Sequence, residues 1–68
     1  MKFIMSEIIN QFNSEGQKHG LWKYYNSNGK LSSEGNYLNG KLNGLFKFYD
    51  IEGILSYEIY YVWNYKSI

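Results

Sequence analysis

Residues 21–25 read Leu-Trp-Lys-Tyr-Tyr and residues 45–49 read Leu-Phe-Lys-Phe-Tyr. Successive residues of a strand point to opposite faces, so such a run carries rings on one side and the lysine on the other. Trp22 and Tyr24 thus share a face, opposed by Leu21, Lys23 and Tyr25, while Phe46 and Phe48 oppose Leu45, Lys47 and Tyr49 in the same way. Both faces carry aromatic residues. Two further stretches, 30–38 and 54–63, read as returning strands. Leu31, Ser33, Gly35 and Tyr37 share one side there, and Leu55, Tyr57, Ile59 and Tyr61 are their bulkier counterparts, with Trp63 continuing the row.

The punctuation between these stretches is turn chemistry. Asn13, Asn26 and Asp50 are followed three residues later by Gly16, Gly29 and Gly53, the arrangement of a type I turn. Asn39-Gly40 supplies another turn, and Asn64 stands one interval further on. Strands at 21–25, 30–38, 42–49 and 54–63 with tight turns between them predict an all-β fold: an antiparallel β-meander in a single-layer sheet of about four to five strands.

The leader, 1–12, has two readings. Met5, Ile8, Ile9 and Phe12 fall on one helical face with Ser6 as N-cap, whereas 8–12 would equally add a fifth strand, the favoured reading. Glu7, Asn10 and Gln11 interrupt any apolar run, so no export signal or membrane-spanning segment is expected and the location expected is cytoplasmic.

A shift of 24 residues lays 16–39 over 40–63 with ten identities, among them Gly20 on Gly44, Lys23 on Lys47, Glu34 on Glu58 and Tyr37 on Tyr61. The chain is therefore two tandem units behind a leader, with 13–39 as the first, 40–64 as the second and 65–68 as a tail. At 68 residues this is one domain. The second unit is the more apolar. Its last part, 57–65, is either an interface strand or the completion of the core.

Composition narrows the chemistry. Seven lysines against six acidic residues leave a net charge of +1, too little to steer nucleic acid or an anionic membrane, and neither is an expected partner. There is no cysteine and one histidine, so no zinc site, disulfide framework or thiol nucleophile is expected, nor any cofactor. With no covalent staple in so short a chain, association is the expected remedy, and a homo-oligomer, a dimer by preference, is anticipated.

The run Gly20-Leu-Trp22-Lys-Tyr-Tyr25-Asn-Ser-Asn-Gly29-Lys-Leu31, followed by Gly35-Asn-Tyr37-Leu-Asn-Gly40-Lys-Leu-Asn-Gly44, resembles the variant MORN (membrane occupation and recognition nexus) repeat. The resemblance covers about residues 13–61. It implies a solenoid-like run of β-hairpins. Bacterial proteins with this variant are often classed as a toxin–antitoxin system antitoxin family, and MORN proteins more broadly are linked to protein scaffolding and to phospholipid binding. Phe46 stands where the pattern has Trp, Ile59 replaces a second Gly35, and Trp63-Asn64 replaces the Asn39-Gly40 turn, so the second unit is expected to end the array as a cap.

Candidate chemistry is sparse. His19 reads as a solvated residue of the connection between Gly16 and Gly20, and Glu34 and Glu58 read as surface charges answering lysines. No catalytic residue is assigned. The expectation is a non-enzymatic protein-interaction module acting by occlusion, an inhibitor or antitoxin-like binder such as a virus or mobile element would encode against a host protein. Its anchors are expected among Trp22, Tyr24, Phe46, Phe48, Tyr57, Tyr61 and Trp63, set on a frame turned by Gly16, Gly29, Gly40 and Gly53. The alternatives are a self-assembling scaffold, and a lipid- or carbohydrate-binding surface.

Overall fold

The computed structural model describes residues 8–62 and 65–67, so the expectations placed on 1–7, on Trp63 and on Asn64 lie outside the described residues. The described residues form six strands: β1 (Gln11–Phe12), β2 (Lys18–Tyr25), β3 (Leu31–Leu38), β4 (Lys41–Tyr49), β5 (Leu55–Val62) and β6 (Tyr65–Ser67). Their order in the sheet is their order in the chain, and every neighbouring pair is antiparallel. This is the predicted β-meander of MORN-like hairpins, all β, in one open sheet. The four predicted strands are β2 to β5. Among its described residues the leader adds the two-residue β1, with Ile8–Asn10 neither helix nor strand, and β6 arises from residues read above as the tail.

Three of the turns are built alike. The N–H of Asn13 donates to the Gln17 carbonyl at 2.8 Å and the N–H of Gly16 to the Asn13 carbonyl at 3.0 Å, and both bonds recur in 26–30 and 50–54. The glycine at the fourth position has φ between +79° and +87°, which closes a type I turn onto a G1 bulge. The Asn13 carboxamide oxygen also accepts the N–H groups of Glu15 and Gln17, and the Asp50 carboxylate those of Glu52 and Ile54. Asn39 and Gly40, at φ 50° and 85° between Leu38 and its partner Lys41, make the two-residue type I′ turn that Asn-Gly favours.

Turns at the same end of the sheet dock on one another. Asn28 Nδ2 donates to the Ile51 carbonyl at 2.9 Å and Lys30 Nζ to that of Glu52 at 3.3 Å. At the opposite end the Gly40 N–H donates to the Lys18 carbonyl at 2.9 Å, and Asn13 Nδ2 to Asn39 Oδ1 at 3.2 Å. These bonds fasten one hairpin to the next.

Strict alternation fails in two places. The register shifts between Tyr24 and Tyr25 and again between Phe48 and Tyr49, so that Leu31 lies opposite Tyr25 and Leu55 opposite Tyr49. An extra residue in one strand turns the following positions over. Leu31 and Leu55 therefore lie with Tyr25 and Tyr49, not with Ser33 and Tyr57 as alternation predicts. Gly20 and Gly44, inside β2 and β4 at φ 83° and 90°, mark a second irregularity, and three residues of β4, Asn43 to Leu45, there oppose Asn36 alone. His19 is a strand residue paired with Gln11, exposed, and not part of a turn.

A single layer buries little. The buried apolar side chains among the described residues are Trp22 and Phe46, 8% and 5% exposed. The accessible surface is 5431 Å², against about 4,500 Å² for a compact chain of this mass. The radius of gyration is 13.6 Å, where about 11 Å would describe a globule of 68 residues.

Candidate binding face

Register sets the rings in rows. Trp22, Gly35, Phe46 and Ile59 are successive partners across β2 to β5, and Tyr24, Ser33, Phe48 and Tyr57 form the next row. Paired residues point to the same side, so these rows share a face, joined by Tyr37 and Tyr61 through contacts with Phe46 at 6.2 and 6.3 Å between centroids. The six described residues among the predicted anchors, Trp22, Tyr24, Phe46, Phe48, Tyr57 and Tyr61, thus stand together. Trp63 lies outside the described residues.

Small residues make room for large ones. A Cβ on Gly35 would lie 2.2 Å from Phe46 Cδ2, so the Phe46 ring lies down over the bare backbone of β3. Phe46 also contacts Phe48 at 5.3 Å, and Phe48 stacks on Tyr57 at 4.6 Å with 13° between ring planes. Trp22 meets Phe12 edge-on at 5.1 Å, and its indole N–H donates to the Gln11 carbonyl at 3.0 Å. Trp22 and Phe46 are consequently the floor of the face. Tyr57, 54% exposed, and Phe12, 58% exposed, stand at its two sides.

At the β2 end the ammonium of Lys18 sits 4.8 Å from the Trp22 ring centroid and 5.2 Å from those of Tyr24 and Tyr37. It donates to the Tyr24 hydroxyl at 2.8 Å, which lies 3.0 Å from the Tyr37 hydroxyl. Burial, followed by the hydrogen bond with Tyr24, holds the Tyr37 phenol well above its ordinary range, so it is neutral at physiological pH. In the second unit Leu42 takes the place of Lys18 and Phe48 that of Tyr24. Phe12, Lys18 and Tyr37 were not among the predicted anchors. Lys18 lies in the run between Gly16 and Gly20 that reads as a connection, so alternation is not carried back to it, and β1 gives Phe12 too short a run to be read.

The other face carries a row of alternating charge, Lys23, Glu34, Lys47 and Glu58, in register across β2 to β5. Lys23 Nζ lies 3.9 Å from Glu34 Oε1, and the Tyr49 hydroxyl donates to Glu34 Oε2 at 2.5 Å. That bond favours the neutral phenol, and the Tyr49 pKa is pushed up to about 12. Leu45 and its partner Tyr60 are both exposed on this side. Between turn 13–17 and the β3–β4 turn lies an open hollow of ≈ 650 Å³, in which the acidic residue is Glu15 and the basic one Lys41.

Residues 18–41 match the family model described as MORN repeat variant. The match runs from the first residue of β2, through β3 and the type I′ turn, to the first residue of β4. No curated protein matches the chain, and no solved structure does.

Proposed function

We propose that the chain is a non-enzymatic protein-binding module that acts by occlusion, an inhibitor or antitoxin-like binder whose ring face covers a partner. A MORN repeat suggests a protein- or membrane-binding module. The observation that carries the protein reading is the ring face itself, two rows of aromatic side chains across four strands with no second layer over them among the described residues. Interfaces select this material, rigid rings with polar tips surrounding a desolvated centre.

Growth end to end is the less favoured reading. Asn28 and Lys30 fasten the first unit to the second, but the positions 24 residues later are Glu52 and Ile54, which supply neither donor. Ile59 likewise fills the space that Gly35 leaves for a neighbouring ring. Both changes favour a unit that ends an array.

The test is purification of the tagged chain and its Tyr57→Ser variant from the native host. One partner at fixed stoichiometry, held by the wild type and lost by a variant with unchanged circular dichroism, is the expected outcome. Sedimentation of both chains with lipid vesicles and no protein partner would replace this reading with the membrane one.

A further inference from the structure

The two long margins of the sheet differ. Along the outer edge of β2, β1 pairs with Lys18 and His19, the Asn10 N–H donates to the Leu21 carbonyl, and the Asn10 side chain bonds both backbone groups of Lys23. The carboxamide thereby imitates one residue of an adjoining strand, and this margin is closed by the chain itself. On the opposite margin β6 pairs with β5 only from Tyr60 to Val62. Among the described pairings, none reaches the outer side of residues 55–59.

The repeat shows what this second margin lacks. Leu31-Ser-Ser-Glu34 in β3 and Leu55-Ser-Tyr-Glu58 in β5 are equivalent stretches. In the first, Ser33 and Glu34 are paired on both sides and all four residues are buried or half-buried; in the second, Tyr57 and Glu58 are paired on one side among the described residues and all four are exposed. Glu34 stands between Lys23 and Lys47, whereas Glu58 has Lys47 on one side and nothing described on the other. Backbone direction agrees. Lys23 turns its N–H and C=O outward to Asn10, and the side to which these groups point alternates along an antiparallel strand. Carried across the registers, Glu34 and Lys47 bond each other, Phe48 and Tyr57 bond each other, and Glu58 presents both groups outward.

We propose that the outer edge of β5 at residues 55–59, which no described strand pairs, takes up an extended segment of the partner protein, added as an antiparallel strand with a lysine or arginine opposite Glu58. Three positions specify that segment. The cation continues the Lys-Glu-Lys-Glu row. The residue opposite Tyr57 is aromatic, extending the Phe48–Tyr57 stack, and the residue opposite Ile59 is small, because Ile59 fills the space that admits a ring over Gly35. The proposal rests on the protein-binding reading and gives it a recognition element.

The probe is a fluorescent peptide of residues 41–49 carrying Phe46→Ala, which places Ala-Lys-Phe where β4 places its own residues against β3, titrated into the full chain. Saturable binding is expected, with amide shifts by NMR concentrated in residues 55–59. Glu58→Lys in the chain should weaken it roughly tenfold, and a Lys47→Glu peptide should restore binding to that variant. Glu58→Gln, which keeps the shape, should give an intermediate loss. Absence of binding, shifts confined to the ring face, or indifference to the Glu58 substitutions would overturn the proposal. Partner loss with Tyr57→Ser draws on both the ring face and the edge, whereas peptide capture and its dependence on Glu58 report on the edge alone: a partner recovered without peptide capture overturns the edge and leaves the protein-binding reading, and peptide capture with no partner recovered does the reverse.

Discussion

Gly35→Ala puts the packing of the ring face to a quantitative test. The added methyl would sit 2.2 Å from Cδ2 and 2.8 Å from Cγ and Cε2 of Phe46, where carbon atoms prefer about 3.5–4.0 Å. The backbone at Gly35 is not in the left-handed region, so alanine fits the chain itself and stiffens the unfolded state, a gain of about 0.4–1 kcal/mol. Against this, the Phe46 ring must leave its place. It is 5% exposed and contacts Tyr37, Phe48 and Tyr61, and overpacking a well-filled site costs about 1–3 kcal/mol. The ring term wins, for a net loss of about 1–2 kcal/mol in a domain whose whole stability is on the order of 3–10 kcal/mol. Urea denaturation followed by tryptophan fluorescence should show a lower midpoint, and the melting temperature should fall by roughly 4–16 °C. In a Phe46→Ala background the same methyl has no ring to meet, and the substitution should be neutral or slightly stabilising. Equal effects of Gly35→Ala in both backgrounds, or a single variant as stable as wild type, would refute the reasoning.

Three further outcomes are expected. Asp50→Ala removes the acceptor of two turn N–H groups and should cost about 1 kcal/mol in urea denaturation, while Asp50→Asn, which keeps that oxygen, should cost less than half as much. Asn10→Ala should open the outer edge of β2, raising hydrogen exchange at the Lys23 amide by roughly tenfold while the β3–β4 amides stay protected. Tyr49 has a folded pKa of about 12 against an ordinary 10.0, so the fold favours its neutral form. That contribution is complete below pH 10 and lost as pH rises through about 12; Tyr49→Phe should flatten the alkaline fall in stability over this window.

The turns were legible in the sequence because each rests on local chemistry. Asn or Asp with Gly three residues later closes a type I turn wherever it stands, and Asn39-Gly40 carries the two positive φ values of a type I′ turn. Faces were legible only as far as the ladder ran unbroken. Trp22, Tyr24, Phe46 and Phe48 fell where alternation put them, whereas Leu31 and Leu55 crossed over because one bulge intervenes, and a bulge leaves no mark in a hydrophobic pattern. Lys18 was missed for a different reason: β2 begins at Lys18, inside the run read as a connection, and once the strand is carried back alternation places it beside Trp22 and Tyr24, with Tyr37 brought there by β3. Nor does a pattern of polar letters distinguish Asn10, which completes a sheet edge with its side chain, from Asn36, which is simply exposed.

Every strand of this sheet pairs only with its neighbours in the chain, and that has a kinetic consequence. None of the described pairings waits for a distant segment to return, so loop closure is cheap at each of these steps and the topology belongs with rapidly folding chains. Formation can begin at any hairpin and spread outward, and the β3–β4 hairpin, closed by two residues already suited to their turn, is the natural nucleus. By the same logic opening proceeds from the margins inward. The β2 margin, tied by Asn10, should then open later than the β5–β6 margin in native-state exchange.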